Sequence, residues 1–247
     1  MCNVCAERAK HALLARRGFL KTAAAAASLS VASLAIAPQA FAAGPKAPPK
    51  PENALTPDAA LKRLLDGNAR YIAGTTQRYD FRHEREALSG GQNPFAAILS
   101  CADSRIAPEF CFDTARGDVF VCRVAGNFAT EEIIASLEYA VQVLNTPLIM
   151  VLGHEACGAI DATIKSIKDG TTLPGHLPSL VHALTPAVNA VQGQPGDLLA
   201  NAIKNNVAIN VDKIKSSTPI LQSFVSNDKL HVVGGVYQLK TGKVALI

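Results

Sequence analysis

Tryptophan is absent from the 247 residues, and aromatic side chains make up only 5% of them. A chain so poor in rings offers no stacking platform for single-stranded nucleic acid. Charge is scarce too, at 18%, against 49% hydrophobic residues. That balance excludes wholesale disorder and supplies enough apolar surface for a sizeable core. Six cysteines in a chain of this length are too few for a disulfide scaffold, so each needs its own explanation. No internal repeat is found, which removes solenoids and propellers.

What is present begins with an address. Arg16-Arg17-Gly18-Phe19-Leu20-Lys21 precedes an Ala-rich run from Thr22 to Ala37, then Pro38 and the small-x-small segment Ala40-Phe41-Ala42. The run is shorter and less apolar than the roughly 20 residues of a spanning helix. Its layout is that of a twin-arginine-type export signal over residues 1–42, which implies a twin-arginine export machinery as partner and a periplasmic or otherwise exported product. Cys2, Cys5 and His11 fall in this segment and are read as incidental. The same segment holds Arg8, Lys10, Arg16, Arg17 and Lys21 but only one acid, Glu7. Of 24 basic and 20 acidic side chains, 19 of each therefore remain beyond it, and the formal charge of +4 belongs to the address. Nucleic-acid binding loses its compositional support.

Residues 43–55 form a Pro-rich linker. Thr56-Pro57-Asp58 reads as a helix cap with proline in the first turn, and Gly74 as the end of that helix. From there strands and helices alternate. Continuous apolar runs at 95–100, 118–124 and 147–152 predict strands buried on both faces. Helices are expected over 131–144 and 156–168, with a further helical region over 181–215 broken near Gly193–Gly196. A strand pair over 230–237 and 243–247 closes an edge. The expected fold is α/β, a mixed and mainly parallel sheet flanked by helices, in one domain over 56–247.

Two loops follow buried strands: Cys101-Ala102-Asp103-Ser104-Arg105 and Gly153-His154-Glu155-Ala156-Cys157-Gly158. Ligands in open α/β sheets bind beyond the carboxyl ends of the strands. If the strands are neighbours, Cys101, His154 and Cys157 converge. The three-residue spacing of His154 and Cys157 is expected to put both on one face of a starting helical turn. Two thiolates and one imidazole make a zinc set that leaves a fourth position open, the mark of a catalytic site. Cys111 and Cys122 sit in apolar stretches and read as packing residues; His83, His176, His182 and His231 have no comparable setting.

The CADSR loop (101–105), the GHEACGA loop (153–159), the RVAGN and ASLEYAV segments and the closing GVYQLKTGKV (235–244) together resemble the β-class carbonic anhydrases. The resemblance covers about Leu61 to Ile247. It implies one Zn2+ per chain on Cys101, His154 and Cys157. The implied reaction is reversible hydration of CO2 to bicarbonate and a proton through a zinc-bound hydroxide, in a homodimer or higher even oligomer. It further implies that Arg105 holds Asp103 back from the metal in the active state, and that Asp103 ligates it at rest. Gln92 matches a glutamine that donates to a substrate oxygen, Gly158 a glycine whose amide lines the site, and Phe120 and Tyr139 apolar wall positions shared across the dimer interface. Some members carry a second bicarbonate pocket with Trp three residues before the first cysteine; Ile98 stands there, so that switch is not expected. The rival readings are hydrolysis of a related linear molecule such as carbon disulfide, and a non-catalytic zinc- or bicarbonate-binding protein.

Overall fold

Thr56 caps the first described helix. Its Oγ1 accepts a hydrogen bond from the Ala59 amide at 3.2 Å, Pro57 occupies the first turn, and Gly74 closes the helix in the left-handed region. The structure is a computed structural model that describes residues 55–247, so the export-signal segment and all but the last residue of the Pro-rich stretch lie outside the described residues. Helix α1 (Pro57–Ala73) is tied to the far end of the chain by a buried amide. Asn68 Nδ2 donates to the carbonyls of Cys111 and Gly242, both at 2.8 Å, and its Oδ1 accepts from the Val244 amide at 2.9 Å.

Five strands follow the expected runs closely: β1 (Ala96–Ser100), β2 (Val119–Arg123), β3 (Leu148–His154), β4 (His231–Tyr237) and β5 (Val244–Leu246). Their order is β2-β1-β3-β4-β5, with the first four parallel and β5 antiparallel on β4. The sheet is therefore mixed and mainly parallel, flanked by helices. β1 and β3 are buried along their whole length, as strands covered on both faces must be. Successive residues alternate between two cores, in keeping with the two-residue period of a strand. Ala97, Leu99, Ile149 and Val151 enter the core shared with the helices that follow β2; Ala96, Ile98, Leu148 and Met150 enter the core under α1.

The helices after β2 are α4 (Glu131–Gln142), α5 (Gly158–Asp169), α6 (Leu177–Asn189), α7 (Leu198–Lys215) and α8 (Ile220–Ser226). Thr130 and Asp197 cap α4 and α7 through their side-chain oxygens. α6 starts at Leu177, ahead of the helical region expected from residue 181, because Pro178 falls in its first turn, where proline is tolerated. Three short helices were not anticipated: α2 (Phe81–Leu88), α3 (Pro108–Cys111) and α8. Helices of eight residues or fewer carry too little apolar periodicity to read. β3 runs on through Gly153 and His154, which register with Val236 and Tyr237, so α5 begins at Gly158 rather than Ala156. None of the described helices is long and apolar enough to cross a membrane.

Candidate metal centre

β1 and β3 are direct neighbours, with Ser100 paired to Leu152, so their carboxyl ends open side by side. Cys101 follows β1, His154 ends β3, and Cys157 is the cap residue of α5. The ligand atoms of these three residues lie within 4.8 Å of one another, and all three side chains are buried. The expected helical turn is not what brings His154 and Cys157 together. His154 is still in the strand, and the chain reverses at Ala156, held at φ +51 in the left-handed region. That conformation is costly for alanine and such strain gathers at functional sites.

A divalent ion fits this set on the structure's own terms. His154 Nδ1 lies 2.8 Å from the Glu155 carbonyl, so Nδ1 carries the proton and donates it, leaving Nε2 as a bare lone pair. Nε2 is fully buried and has no hydrogen-bond partner. A buried acceptor without a partner is rare in native folds; here it faces two sulfurs at the spacing a tetrahedral ion spans. The sulfurs already share their protons unequally. The hydrogen bond with Cys157, aided by His154 and by the Gly126 amide, outweighs burial and holds Cys101 down to about 4. The same bond, then burial, pushes Cys157 up.

The Gly126 N–H donates to Cys101 Sγ at 3.3 Å. Only glycine fits there: φ is +88, and a Cβ would stand 2.8 Å from Leu184 Cδ1.

Asp103 lies beside the donors, its Oδ2 3.8 Å from His154 Nε2. Arg105 grips it from the other side. Nε donates to Oδ1 at 2.9 Å, Nη2 to Oδ2 at 2.7 Å, and the Arg105 amide again to Oδ1 at 2.9 Å. These bonds hold the Asp103 carboxyl well below the usual carboxylate range and raise Arg105 above its own. Arg105 Nη2 also reaches the Ala156 carbonyl at 3.3 Å, linking the two loops.

Arg123 is a site residue that sequence reasoning missed. From the end of β2 its guanidinium donates to the carbonyls of Cys101, Asp103 and Ile106 at 2.9, 2.7 and 2.8 Å. One side chain thus stitches the loop that carries both Cys101 and Asp103. The available signal was a lone arginine ending an apolar strand run.

Other sequence-predicted residues are placed differently. Gly158 stands at the exposed start of α5, directly after Cys157, and a Cβ there would meet nothing within 4 Å. Gln92 precedes β1 whereas Cys101 follows it, and five residues of strand, roughly 16 Å, lie between. Phe120 pairs with Ala97 near the amino end of β1, and its ring packs 6.4 Å from that of Tyr139, which is 47% exposed. The fold does not gather Gln92, Phe120 and Tyr139 around their own chain's metal cluster. Cys111 and Cys122 are buried in the two cores, as expected of packing residues.

A mainly parallel sheet that delivers two thiols and an imidazole to adjacent strand ends defines an α/β protein with a donor set that fits a metal ion. The family is given by comparison with known proteins. A family model described as carbonic anhydrase matches residues 96–244. "Carbonic anhydrase 2" of Mycobacterium tuberculosis is 37% identical over 191 residues, covering 77% of this chain and 92% of that protein. A carbonic anhydrase of Mycolicibacterium smegmatis is 37% identical over 195 residues, covering 77% and 93%. Among solved structures, the β-carbonic anhydrase CcaA matches with a TM-score of 0.59 and 27% identity, covering 75% of this chain and 94% of that one. A β-carbonic anhydrase of Sordaria macrospora, described as tetrameric, shares the fold with a TM-score of 0.60 at 22% identity, covering 74% and 92%. The chain belongs to the carbonic anhydrase family, in its β class.

Proposed function

We propose that this protein catalyses the reversible hydration of CO2 to bicarbonate and a proton, with one zinc ion per chain held by Cys101, His154 and Cys157. The observation that carries the reading is the bare, buried Nε2 of His154 facing two thiols, with a restrained carboxylate 3.8 Å away. Zinc, when bound, supplies a water acidified enough to provide hydroxide near neutral pH. The chain's own residues arrange everything else. The Glu155 carbonyl fixes the imidazole tautomer. Arg105 keeps the Asp103 carboxylate ionised and turned toward its own fork, which holds it back from the three donors. Asp103 then accepts hydrogen bonds beside the three donors without taking up the proton itself, and it would join them as a ligand if Arg105 let go. A purely structural or carrier site has no use for such a pair, which speaks against the non-catalytic reading.

Gln92, Phe120 and Tyr139 enter the reading through a second copy of the chain. Each stands away from its own metal cluster, and the Phe120–Tyr139 pair lies on β2, the edge strand of the sheet, and on the helix beside it. A homodimer or higher even oligomer that abuts these edges brings the Gln92 amide to the substrate and the two rings to the wall. Residues 16–21 support export through the twin-arginine route, with the enzyme acting outside the cytoplasm; fractionation of the producing cell checks this.

The decisive experiment is stopped-flow CO2 hydration with the zinc-loaded protein between pH 7 and 9. Turnover that disappears on chelation and returns with zinc is expected. A fully zinc-loaded protein inactive across that range would end the proposal.

A further inference from the structure

Helix α7 carries Asn206, Asn210 and Lys213 at spacings of four and three residues, which places them on one face. All three reach the loop that follows β2. Asn206 Nδ2 donates to the Gly126 carbonyl at 2.8 Å, the Ala129 amide donates to Asn210 Oδ1 at 2.7 Å, and Lys213 Nζ donates to the Ala129 carbonyl at 2.6 Å. Asn210 Nδ2 braces the row by donating to Asn206 O and Oδ1 at 2.8 and 3.1 Å. Both asparagines are almost fully buried, among Ile203, Val207, Val211 and Ile214. Apolar residues would pack such a helix as well, since buried amides cost free energy unless hydrogen-bonded. What the polar row adds is a loop fixed at both ends.

That loop touches the metal donors. The Val124–Asn127 turn is closed by the Asn127 amide donating to the Val124 carbonyl at 2.9 Å, with Gly126 at φ +88 in its third position. Within this turn the Gly126 N–H points at Cys101 Sγ while the Gly126 carbonyl is the group Asn206 holds. We propose that Asn206 is a positioning residue for the metal centre: it aims the Gly126 N–H at the Cys101 sulfur, and Asn210 with Lys213 anchors the other end of the loop. The proposal rests on the metal reading above. Groups that orient a ligand in this way change metal affinity by about 10- to 100-fold when removed.

The test compares wild type, Asn206→Leu and Asn205→Ala in two measurements: zinc retention against a competing chelator, and the thiolate-to-metal charge-transfer absorption of the cobalt(II)-loaded protein. Asn205 is the control, because its Nδ2 donates to the Ala187 carbonyl at 3.0 Å, a bond from the same helix that leads away from the loop. Asn206→Leu is expected to weaken zinc retention about 10- to 100-fold and to shift the cobalt band, with Asn205→Ala matching wild type in both. Unchanged retention and band in Asn206→Leu, or an equal loss in Asn205→Ala, would overturn the proposal. Should Asn206→Leu fail to fold, the exposed Lys213→Met decides: a smaller loss in the same direction supports the positioning role, and unchanged retention overturns it. Wild-type protein that binds neither ion would overturn the metal reading and this proposal with it.

Discussion

Asp103 and Arg105 meet fork to fork, with Nε 2.9 Å from Oδ1 and Nη2 2.7 Å from Oδ2. Two parallel bonds fix the plane of the carboxylate as well as its distance, which a lysine could not do. Arg105→Ala is expected to keep zinc and lose CO2 hydration by about 100-fold or more, the scale of a one-ångström misplacement at a reacting centre. Arg105→Lys should recover only part of the rate. Metal analysis beside stopped-flow kinetics checks both; full activity in Arg105→Ala would discard the gating role.

The three donors carry the second expectation. Cys101→Ala and His154→Ala each remove one donor from the buried set formed with Cys157. Each variant should lose stoichiometric zinc and all chelator-sensitive activity. Elemental analysis after dialysis that still finds one zinc per chain would refute the assignment.

How much of this was legible beforehand depends on the range of the interaction. The strands around Ile98 and Met150 declared themselves because full burial needs an unbroken apolar run, and Cys101 and His154 followed from where those runs end. The caps at Thr56 and Gly74 are local chemistry and were readable for that reason. Hidden were contacts made between distant residues. Arg123 grips Cys101, Asp103 and Ile106 from another strand, and Asn206 grips Gly126 across 80 positions. The separation of Gln92 from Cys101 was hidden too, because nine residues of sequence say nothing about distance until five of them are known to be extended. The helical spacing of His154 and Cys157 misled, since a left-handed Ala156 achieves the same convergence by a turn.

Arg123 gives the third prediction. Arg123→Met keeps the apolar stem and deletes three bonds to carbonyls that have to stay fixed for Cys101 and Asp103 to stay in place. The guanidinium is partly exposed, so the expected loss is about 1–2 kcal/mol of folding stability rather than the sum of three charged bonds. Hydration should fall more than stability suggests. Denaturant titration beside kinetics checks this; wild-type turnover in a destabilised variant would show that the clamp serves folding alone.

Burial pushes the Cys111 thiol up to about 11, whereas an unfolded chain would ionise it near 8.5. The sign follows from proton counts. Below about pH 8.5 both states hold the proton and the contribution of Cys111 is fully present. As pH rises further the unfolded state gives up the proton while the folded state keeps it, so stability falls until the folded thiol ionises as well. Wild type should lose stability across that window with a slope of up to about 1.4 kcal/mol per pH unit from this group. Cys111→Val should flatten the profile by that share. Urea unfolding at intervals between pH 8 and 11 measures it, and identical slopes would dismiss the thiol as the source.

Gln92 lies before β1 and Cys101 after it, and this separation makes the assembly testable by complementation. If a site takes its metal donors from one copy and its glutamine from the partner, two inactive chains can repair each other. Gln92→Ala should bind zinc normally and hydrate CO2 poorly; Cys101→Ala should bind no zinc but present an intact Gln92. Produced together, half of the two-fold dimers are hybrids, and each hybrid carries one site with wild-type donors and a wild-type glutamine. Activity should then rise to about one quarter of wild type, although neither variant alone approaches that level. Activity that stays at the sum of the separate variants would place Gln92 outside any shared site and leave each metal centre to its own chain.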